Sequence, residues 1–280
     1  MLSEALPPGL YIVATPIGNL SDLSARAAAT LRGASLILAE DKRVTAKLLA
    51  HVEATAPMAV YHDHSSEAER DRILARLGSE AVALVSDAGT PLISDPGYKL
   101  VRAARAAGHA VHTIPGACAA IAALTLAGLP TDRFLFAGFL PSKAKARADL
   151  IAEVGAIRAS LVLYESGPRL GEALAALADG LGPRDGAVIR EISKLHEETV
   201  TGTLPELAAR YADAPPRGEI VIVVGPPGEA DAASDDTLDA ALREALATLT
   251  PSRAAAEVAT TLNIPRKRAY ARALALGTSA

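Results

Sequence analysis

Short apolar runs alternate with helical patterns from the start of this chain. LYIVA (Leu10 to Ala14), SLILA (35–39) and AVALV (81–85) have the length and composition of buried strands. The segment 67–77 has a polar-faced helical pattern that ends at a glycine. Because strands that alternate with helices favour a parallel sheet covered by helices, the sequence predicts an α/β domain over residues 1–114.

The alternation continues after a Pro-Gly pair and predicts a second α/β domain over residues 115–225. Its strand-like runs are Phe134 to Phe139, Ser160 to Tyr164, Gly186 to Glu191 and Glu219 to Val224. Residues 226–236 contain four acidic and no basic residues, a composition typical of a linker. Residues 237–280 have a helical pattern with six Arg or Lys against three acids, so we expect a basic helical extension.

Charge and cysteine content exclude several classes of protein. The formal net charge is −4 over 280 residues, so any contact with RNA must use a local basic patch. Cys118 is the single cysteine, which excludes an intrachain disulfide and a cysteine-based metal cluster. No signal-peptide pattern is visible, and the longest nearly uncharged run (117–129) is too short to cross a bilayer. We therefore expect a cytoplasmic protein.

Three loops rich in small residues are candidate ligand sites. No GxxxxGK[ST] or GxGxxG motif follows the first strand, and the turn ATPIGNL (14–20), taken alone, favours an ordinary strand-to-helix turn. LVSDAGTPLISDPG (84–97) follows a strand and has the Gly and Pro content of a rigid ligand loop. In TIPGACAAIAAL (113–124), small side chains suit either a flat ligand or close packing of helix on sheet.

Ionisable residues cluster after three strands, in EDKR (40–43), YESGPR (164–169) and REISKLHEE (190–198). Arginine and lysine in such clusters could bind phosphate, with Glu191 orienting them. Each cluster, taken separately, can also be explained as an ordinary charged surface in contact with solvent. His196 has no second histidine at a spacing that suits a metal site, so no metal is expected.

The segment 251–274 predicts a helix, a short turn at 263–265 and a second helix. The second helix carries Arg266, Lys267, Arg268 and Arg272, an arrangement similar to a helix-turn-helix that contacts phosphate. A small helical cap with a solvated basic face explains the same pattern equally well.

Seven motifs together resemble one known family. They are ATPIGNLSDLSARA, LAEDKRVTAKLL, VSDAGTPLISDPG, IPGACAAIAAL, FAGFLP, LVLYESGPRL and REISKLHEE. Their order is that of the ribosomal RNA small-subunit methyltransferase I family, a branch of the tetrapyrrole-methylase superfamily. The similarity covers residues 8–225, and the tail is similar to the extension that this family carries. The sequence departs from the family before Arg169, where Gly-Pro stands in place of the more frequent Pro-His.

The resemblance implies two α/β domains with S-adenosylmethionine in the cleft between them, without a Rossmann fingerprint. Relatives hold the cofactor through positions that match Ile17, Ala88, Gly89, Thr90, Ile93, Cys118, Ala119, Tyr164 and Ser193. The loop residues that extend this expected set are Pro16, Gly18, Asp87, Pro115 and Gly116.

The resemblance also implies the reaction, which is 2′-O-methylation of a cytidine ribose in 16S ribosomal RNA of the small subunit. The candidate catalytic residues are Glu40, Glu191 and Lys194, and Glu40 matches a carboxylate proposed as a base in tetrapyrrole enzymes. The candidate RNA-binding residues are Arg43, Arg169, Arg190, Arg266, Lys267, Arg268 and Arg272. A homodimer is expected. The alternatives are a methyltransferase of a tetrapyrrole or other small molecule, and a non-catalytic ribosome-binding protein.

Overall fold

The computed structural model describes residues 6–213, 215–228, 235–262, 264 and 266–277. The chain divides into two compact units, one of Met1–Gly155 with Ala159–Gly225 and one of Ala156–Arg158 with Pro226–Ala280. Both sheets of the fold belong to the first unit. The domain boundary at residue 115 stays a prediction, and most of the predicted linker lies outside the described residues.

The first sheet has five parallel strands in the order β3-β2-β4-β1-β5. Its strands are β1 (Gly9–Val13), β2 (Leu36–Ala39), β3 (Met58–Val60), β4 (Ala81–Leu84) and β5 (Val111–Ile114). The helices between them are α1 (Ala25–Gly33), α2 (Lys42–His51), α3 (Glu67–Leu77) and α4 (Tyr98–Ala106). This confirms the α/β prediction for this part of the chain.

Alternate side chains of these strands enter two cores. Tyr11, Val13 and Ile37 pack with α1 and α2 residues on one face of the sheet. Leu10 and Val82 pack with α3 and α4 residues on the other face. Because both faces are covered, the strands are apolar at nearly every position, and all side chains of β1, β2 and β4 are buried.

The second sheet is mixed, in the order β6-β7-β10-β8-β9, with only β6 parallel to its neighbour among the described strands. Its strands are β6 (Phe134–Phe139), β7 (Ser160–Ser166), β8 (Asp185–Arg190), β9 (Glu198–Thr203) and β10 (Glu219–Val224). Its helices are α5 (Ala119–Leu126), α6 (Ala144–Gly155), α7 (Leu170–Leu181) and α8 (Leu204–Tyr211). Strand β9 was not predicted, because its alternating Thr residues leave it polar and half-exposed at the sheet edge.

The second unit contains the helices α9 (Asp235–Leu246), α10 (Pro251–Thr261) and α11 (Arg266–Gly277). Its own apolar core includes Leu238, Leu242 and Val258. The predicted pair of helices separated by a turn is therefore present, although the turn residues 263 and 265 lie outside the described part. None of the helices in the described segments is long and apolar enough to cross a membrane.

Candidate functional site

A cavity of about 270 Å³ opens where the loop after β4 meets α5 and one face of the second sheet. Loop residues that follow β1 and β4 and strand residues of the second sheet line it, and its exposed surface is mostly apolar. The lining residues are Ile17, Ala88, Gly89, Thr90, Ile93, Ser94, Asp95, Cys118, Ala119, Phe139, Tyr164, Glu165, Ser166, Ile192, Gly218, Glu219, Ile220 and Val221.

Gly89 brings the loop after β4 against the turn after β1. Its backbone exchanges two hydrogen bonds with Thr15, at N–O distances of 2.8 and 3.2 Å. Gly89 has a φ of +81°, and a Cβ there would lie 3.3 Å from Ile17 Cγ2. The Thr90 hydroxyl donates to the carbonyl of Ala117 at 2.9 Å and ties the same loop to the approach to α5. A rigid turn of small residues therefore forms one wall of the cavity.

Tyr164 on β7 connects the second sheet to the start of α5. Its hydroxyl accepts a hydrogen bond from the backbone N–H of Ala120 at 3.1 Å, and burial raises its pKa. The ring lies edge-on to Phe136 and Phe139, with centroid distances of 4.8 and 5.7 Å. Phe139 and Tyr164 therefore give the cavity an aromatic wall on the side of the second sheet.

Asp95 is the carboxylate that the loop after β4 places on the cavity wall. Leu92 and Ser94 before it have φ values of 75° and 63°, so the backbone around it is strained. Burial, followed by the negative charges of Glu40 and Asp87, raises the pKa of Asp95 to about 6, although a hydrogen bond with Ser86 opposes this. The sequence prediction missed Asp95. The repeat of Ser-Asp at 86–87 and 94–95 was the signal that could have drawn attention to it.

Glu40 directly follows β2 and is not among the residues that line the cavity. Burial first, and then the charge of Asp87, raise its pKa. Asp87 also accepts a hydrogen bond from the backbone N–H of Asp41 at 3.0 Å. The exposed Arg43 forms an ion pair with Asp41 at 2.6 Å, and its pKa is raised by Asp41 first and also by the charge of Asp87.

Glu191 and Lys194, in the loop between β8 and β9, bind each other. Lys194 Nζ lies 2.8 Å from Glu191 Oε1 and 2.7 Å from Glu219 Oε2. The hydrogen bond from Lys194 lowers the pKa of Glu191. Burial opposes the charge of Lys194, but its hydrogen bonds to the two carboxylates raise its pKa. Neither Glu191 nor Lys194 lines the cavity.

The same loop contacts the turn after β1. A Cβ on Gly18 would lie 2.9 Å from Lys194 Cε, so the lysine stem crosses directly over this glycine. The Ser193 hydroxyl donates to the carboxylate of Asp22. Glu191 and Ser193 both have positive φ values, of 52° and 66°. The loop therefore joins the second sheet to the first beside the cavity.

Some of the predicted cofactor residues line the cavity, and the others lie in the same loops without lining it. Those on the wall are Ile17, Ala88, Gly89, Thr90, Ile93, Cys118, Ala119 and Tyr164. Those that lie in the same loops without lining the cavity are Pro16, Gly18, Asp87, Pro115, Gly116 and Ser193. Gly116 has a packing role, since a Cβ there would lie 2.9 Å from the Cβ of Ala14.

Several predicted RNA-binding arginines already have protein partners. Arg169 donates to the carbonyl of Leu140 at 2.5 Å. Arg190 lies 3.1 Å from Glu198 and donates to the carbonyl of Arg217. In the second unit, Arg272 binds Asp239 through two nitrogens, at 2.5 and 2.8 Å.

Others lie on the surface of the second unit. Arg266 and Lys267 are exposed, and Arg266 lies 3.3 Å from the hydroxyl of Ser252. Arg268 is half-buried. The predicted set therefore divides into cations held within the fold and cations open to a partner.

The departure from the family pattern before Arg169 has a steric explanation. A Cβ on Gly167 would overlap the carbonyl oxygen of Pro216, so the backbone of the segment before β10 occupies this space. A residue with a side chain fits here only if that segment moves. Glycine at this position therefore allows the segment before β10 to pass close to residue 167. That segment leads to the cavity residue Gly218.

Comparisons with known proteins agree with this architecture. Residues 9–208 match the family described as Tetrapyrrole (Corrin/Porphyrin) Methylases, and residues 231–277 match the RsmI C-terminal HTH domain. A curated relative from Erythrobacter litoralis, named Ribosomal RNA small subunit methyltransferase I, is 55% identical over 99% of this chain and 98% of its own length. A protein of the same name from Mesorhizobium japonicum is 45% identical over 98% of this chain and 94% of its own.

Solved structures show the same fold at lower identity. A uroporphyrin-III-C-methyltransferase from Thermus thermophilus covers 77% of this chain and 93% of its own, with a TM-score of 0.55 and 22% identity. A diphthine synthase structure covers 77% of this chain and 89% of its own, with a TM-score of 0.61 and 17% identity.

Proposed function

Because the chain belongs to the ribosomal RNA small subunit methyltransferase I family of the tetrapyrrole methylases, we propose that it methylates a cytidine ribose of 16S ribosomal RNA at the 2′-oxygen, with S-adenosylmethionine as the donor. The observation that carries the proposal is the cavity, whose wall contains eight of the residues predicted to contact the cofactor. The reaction would take place in the cytoplasm, where the small ribosomal subunit is assembled.

The chemistry of the cavity wall suits this cofactor. Ile17, Phe139 and Val221 offer apolar surface to a flat ring, and Gly89 allows the backbone to approach it closely. The wall also carries carboxylates and hydroxyls, which suit the ammonium group and the sugar. A sulfonium cation is compatible with this wall, because no Lys, Arg or His stands among the described residues that line it.

The protein's own contribution would be mainly alignment and exclusion of water. When bound, S-adenosylmethionine supplies a methyl group that is already activated for transfer. The loop of residues 85–97 and the start of α5 would hold the donor, and the aromatic wall at Tyr164 would keep water from the reacting atoms. Glu191 and Lys194 would act indirectly, by fixing the loop that joins the two sheets.

Cofactor binding can be tested with Gly89→Val. We expect S-adenosylmethionine affinity to fall at least tenfold in calorimetry, because a branched side chain would enter the space next to Ile17. Gly108→Val is the matched control, since its φ of +79° imposes the same backbone strain while a Cβ there meets nothing within 4 Å. Equal affinity in the two variants would show that the cofactor binds at another site. If the wild-type protein does not bind S-adenosylmethionine, the non-catalytic alternative is favoured.

The basic tail would supply contacts to RNA phosphates. Residues 237–280 carry a net charge of +3 (six basic, three acidic), which leaves −7 for residues 1–236 of a chain with −4 overall. An acidic body repels RNA, so a separate basic element provides the contact, and a small-molecule substrate would not need it. Arg266 and Lys267 are the exposed candidates, whereas Arg272 is bound to Asp239.

The double variant Arg266→Ala/Lys267→Ala should weaken binding to small subunits and reduce the salt slope by roughly one per lost phosphate contact. Cofactor affinity should stay unchanged. Arg253→Ala, a change to an exposed arginine on α10, is the control. If the salt dependence of binding is the same in the double variant as in the wild-type protein, the tail does not contact RNA through these residues and is only a structural cap.

We also propose a homodimer. Ile121 and Leu126 on α5, with Phe134 and Phe139 on the edge strand β6, are large apolar side chains exposed in the single chain. Light scattering should return twice the chain mass of 28.7 kDa, and a monomer mass at working concentration would contradict the proposal.

A further inference from the structure

Three acidic residues line the cavity, and the surroundings of their carboxylates differ. Glu219 binds Lys194 at 2.7 Å. Glu165 accepts a hydrogen bond from the backbone N–H of Ser166 at 2.8 Å and lies 3.4 Å from Arg169. For Asp95, in contrast, the described residues place no Lys or Arg within ion-pair distance. Asp95 therefore brings a negative charge to the cavity wall without a protein cation to balance it.

The geometry of β7 gives a second difference between Asp95 and Glu165. Leu161 and Leu163 of β7 face the core under α6 and α7, whereas Val162 and Tyr164 face α5 and the cavity. Because side chains alternate along a strand, Glu165 falls on the side of Leu163, away from Tyr164. Asp95 and Tyr164 both line the cavity, and the charge of Asp95 is the smallest of the causes that raise the pKa of Tyr164, after burial.

We infer that Asp95 is the catalytic base of this protein, the carboxylate that takes the proton of the acceptor hydroxyl where the cavity opens toward the substrate. The inference rests on the proposed function. As the ribose oxygen forms its bond to the methyl carbon, its proton passes to Asp95 Oδ. The electron pair of the breaking carbon–sulfur bond stays on sulfur, so charge and atoms balance.

The electrostatic setting of Asp95 suits this role. The groups that face it are Ser86 and Asp87 from its own loop, Glu40 at the end of β2, and Tyr164 from β7. Burial and the two acids raise the pKa of Asp95 to about 6, which makes it a stronger base than a solvent-exposed aspartate and still largely ionised at neutral pH. A cation in the cavity would favour the ionised form and lower that pKa.

The other candidate bases fit less well. Lys194 is held by two carboxylates, and the pKa of Glu191 is lowered, which makes it a weak base. Glu40 has a raised pKa but lies outside the cavity wall, and it acts on Asp95 through its charge. Glu40 is therefore a positioning residue in this scheme.

Proton release on ligand binding tests the inference without measuring turnover. S-adenosylmethionine carries a sulfonium cation, and S-adenosylhomocysteine carries a neutral thioether in its place. Each is titrated calorimetrically at pH 6 in two buffers that differ in ionisation enthalpy, which gives the number of protons released. We expect the sulfonium ligand to release more protons than the thioether, by up to about half a proton per site, because Asp95 is close to half-protonated at this pH.

Three variants assign the proton. Asp95→Asn should abolish the difference between the two ligands, whereas Glu40→Gln should keep most of it, because the charge of Glu40 raises the pKa of Asp95 less than burial does. Asp71→Asn, at an exposed position on α3, is the matched control. A difference that persists in Asp95→Asn, or that is lost only in Glu40→Gln, overturns the inference. In the wild-type protein the preference for the sulfonium ligand should also rise with pH through about 6, and a flat preference would argue against Asp95 without any variant.

Different outcomes contradict the proposed function and the role of Asp95. If neither ligand binds, the proposed function fails. If both ligands bind and release equal numbers of protons, the proposed function stands and the inference about Asp95 is wrong.

Discussion

The loop after β4 (85–97) and the loop after β8 (191–197) border the same cavity, but their acidic residues have opposite surroundings. The second loop pairs its acid internally, so that Lys194 lowers the pKa of Glu191. The first loop leaves Asp95 facing apolar wall and other acids, which raise its pKa to about 6. Both loops contain residues with positive φ, so backbone strain does not distinguish them.

Ionisable residues therefore have two different roles in these loops. Opposite charges that lie close in the sequence neutralise each other in the fold and hold a loop in place, as Glu191 and Lys194 do. A carboxylate without a cation, on a mostly apolar wall, retains the basicity that chemistry needs. The denser charge cluster is therefore the structural one here, and the sparser loop is the proposed site of reaction.

The largest expected effect is on turnover in Asp95→Asn. Loss of the proton acceptor should lower kcat by roughly 100-fold or more, with little change in KM for the small subunit. Lys194→Met should lower kcat less than tenfold, because that side chain only supports the site. Rates measured with saturating donor check both values, and the opposite ranking would break the contrast between the two loops.

A smaller effect is expected on the stability of Lys194→Met. The change leaves Glu191 and Glu219 without their shared cation and should cost about 1–2 kcal/mol of unfolding free energy at pH 7. Because the pKa of Glu191 is lowered in the folded state, this stabilisation is present above the usual glutamate pKa and is lost as pH falls through the folded value.

Lys145→Met is the matched control for this change. It removes an ion pair with Asp149 in which both side chains are largely exposed, so it should cost below about 0.5 kcal/mol. Denaturant unfolding at pH 7 and pH 3.5 gives the comparison, and equal costs for the two lysines would show that the loop pair has no special role.

The smallest effect is a gain of thermal stability in Asp95→Asn. A raised folded-state pKa means that stability is fully present below the aspartate value of 3.8 and is lost as pH rises through about 6. A neutral amide avoids this loss, so the variant should melt about 1–3 °C higher at pH 8, with the gain vanishing near pH 4. Asp71→Asn should show no gain, and a lower melting temperature for Asp95→Asn at pH 8 would indicate that the carboxylate serves structure.

Much of the fold could be predicted because burial on both faces of a parallel sheet leaves a direct mark on the sequence. The runs at β1, β2 and β4 are apolar throughout, and the small-residue loops after β1 and β4 follow from their Gly and Pro content. Strand β9 leaves no such mark, because it lies at the sheet edge and none of its residues is fully buried.

The site was predicted in part for a related reason. Composition shows that a loop is rigid and small, which identified the residues around Gly89. It does not show which of two aspartates faces a cavity, since Asp87 and Asp95 follow the same Ser-Asp pattern. Tertiary partners are equally invisible, as with Arg272, whose binding to Asp239 spans 33 residues. Charged residues therefore need the structure before a role can be assigned.

The most direct test of the proposed activity is to identify the methylated atom. Small subunits from cells that lack the gene would be incubated with the protein and S-adenosylmethionine, and the RNA digested to nucleosides for mass spectrometry. The cavity and the family predict that 2′-O-methylcytidine appears with the wild-type protein and with Gly108→Val, and is strongly reduced with Gly89→Val. A methyl group on a base, or no methylation by the wild-type protein, would contradict the proposed function.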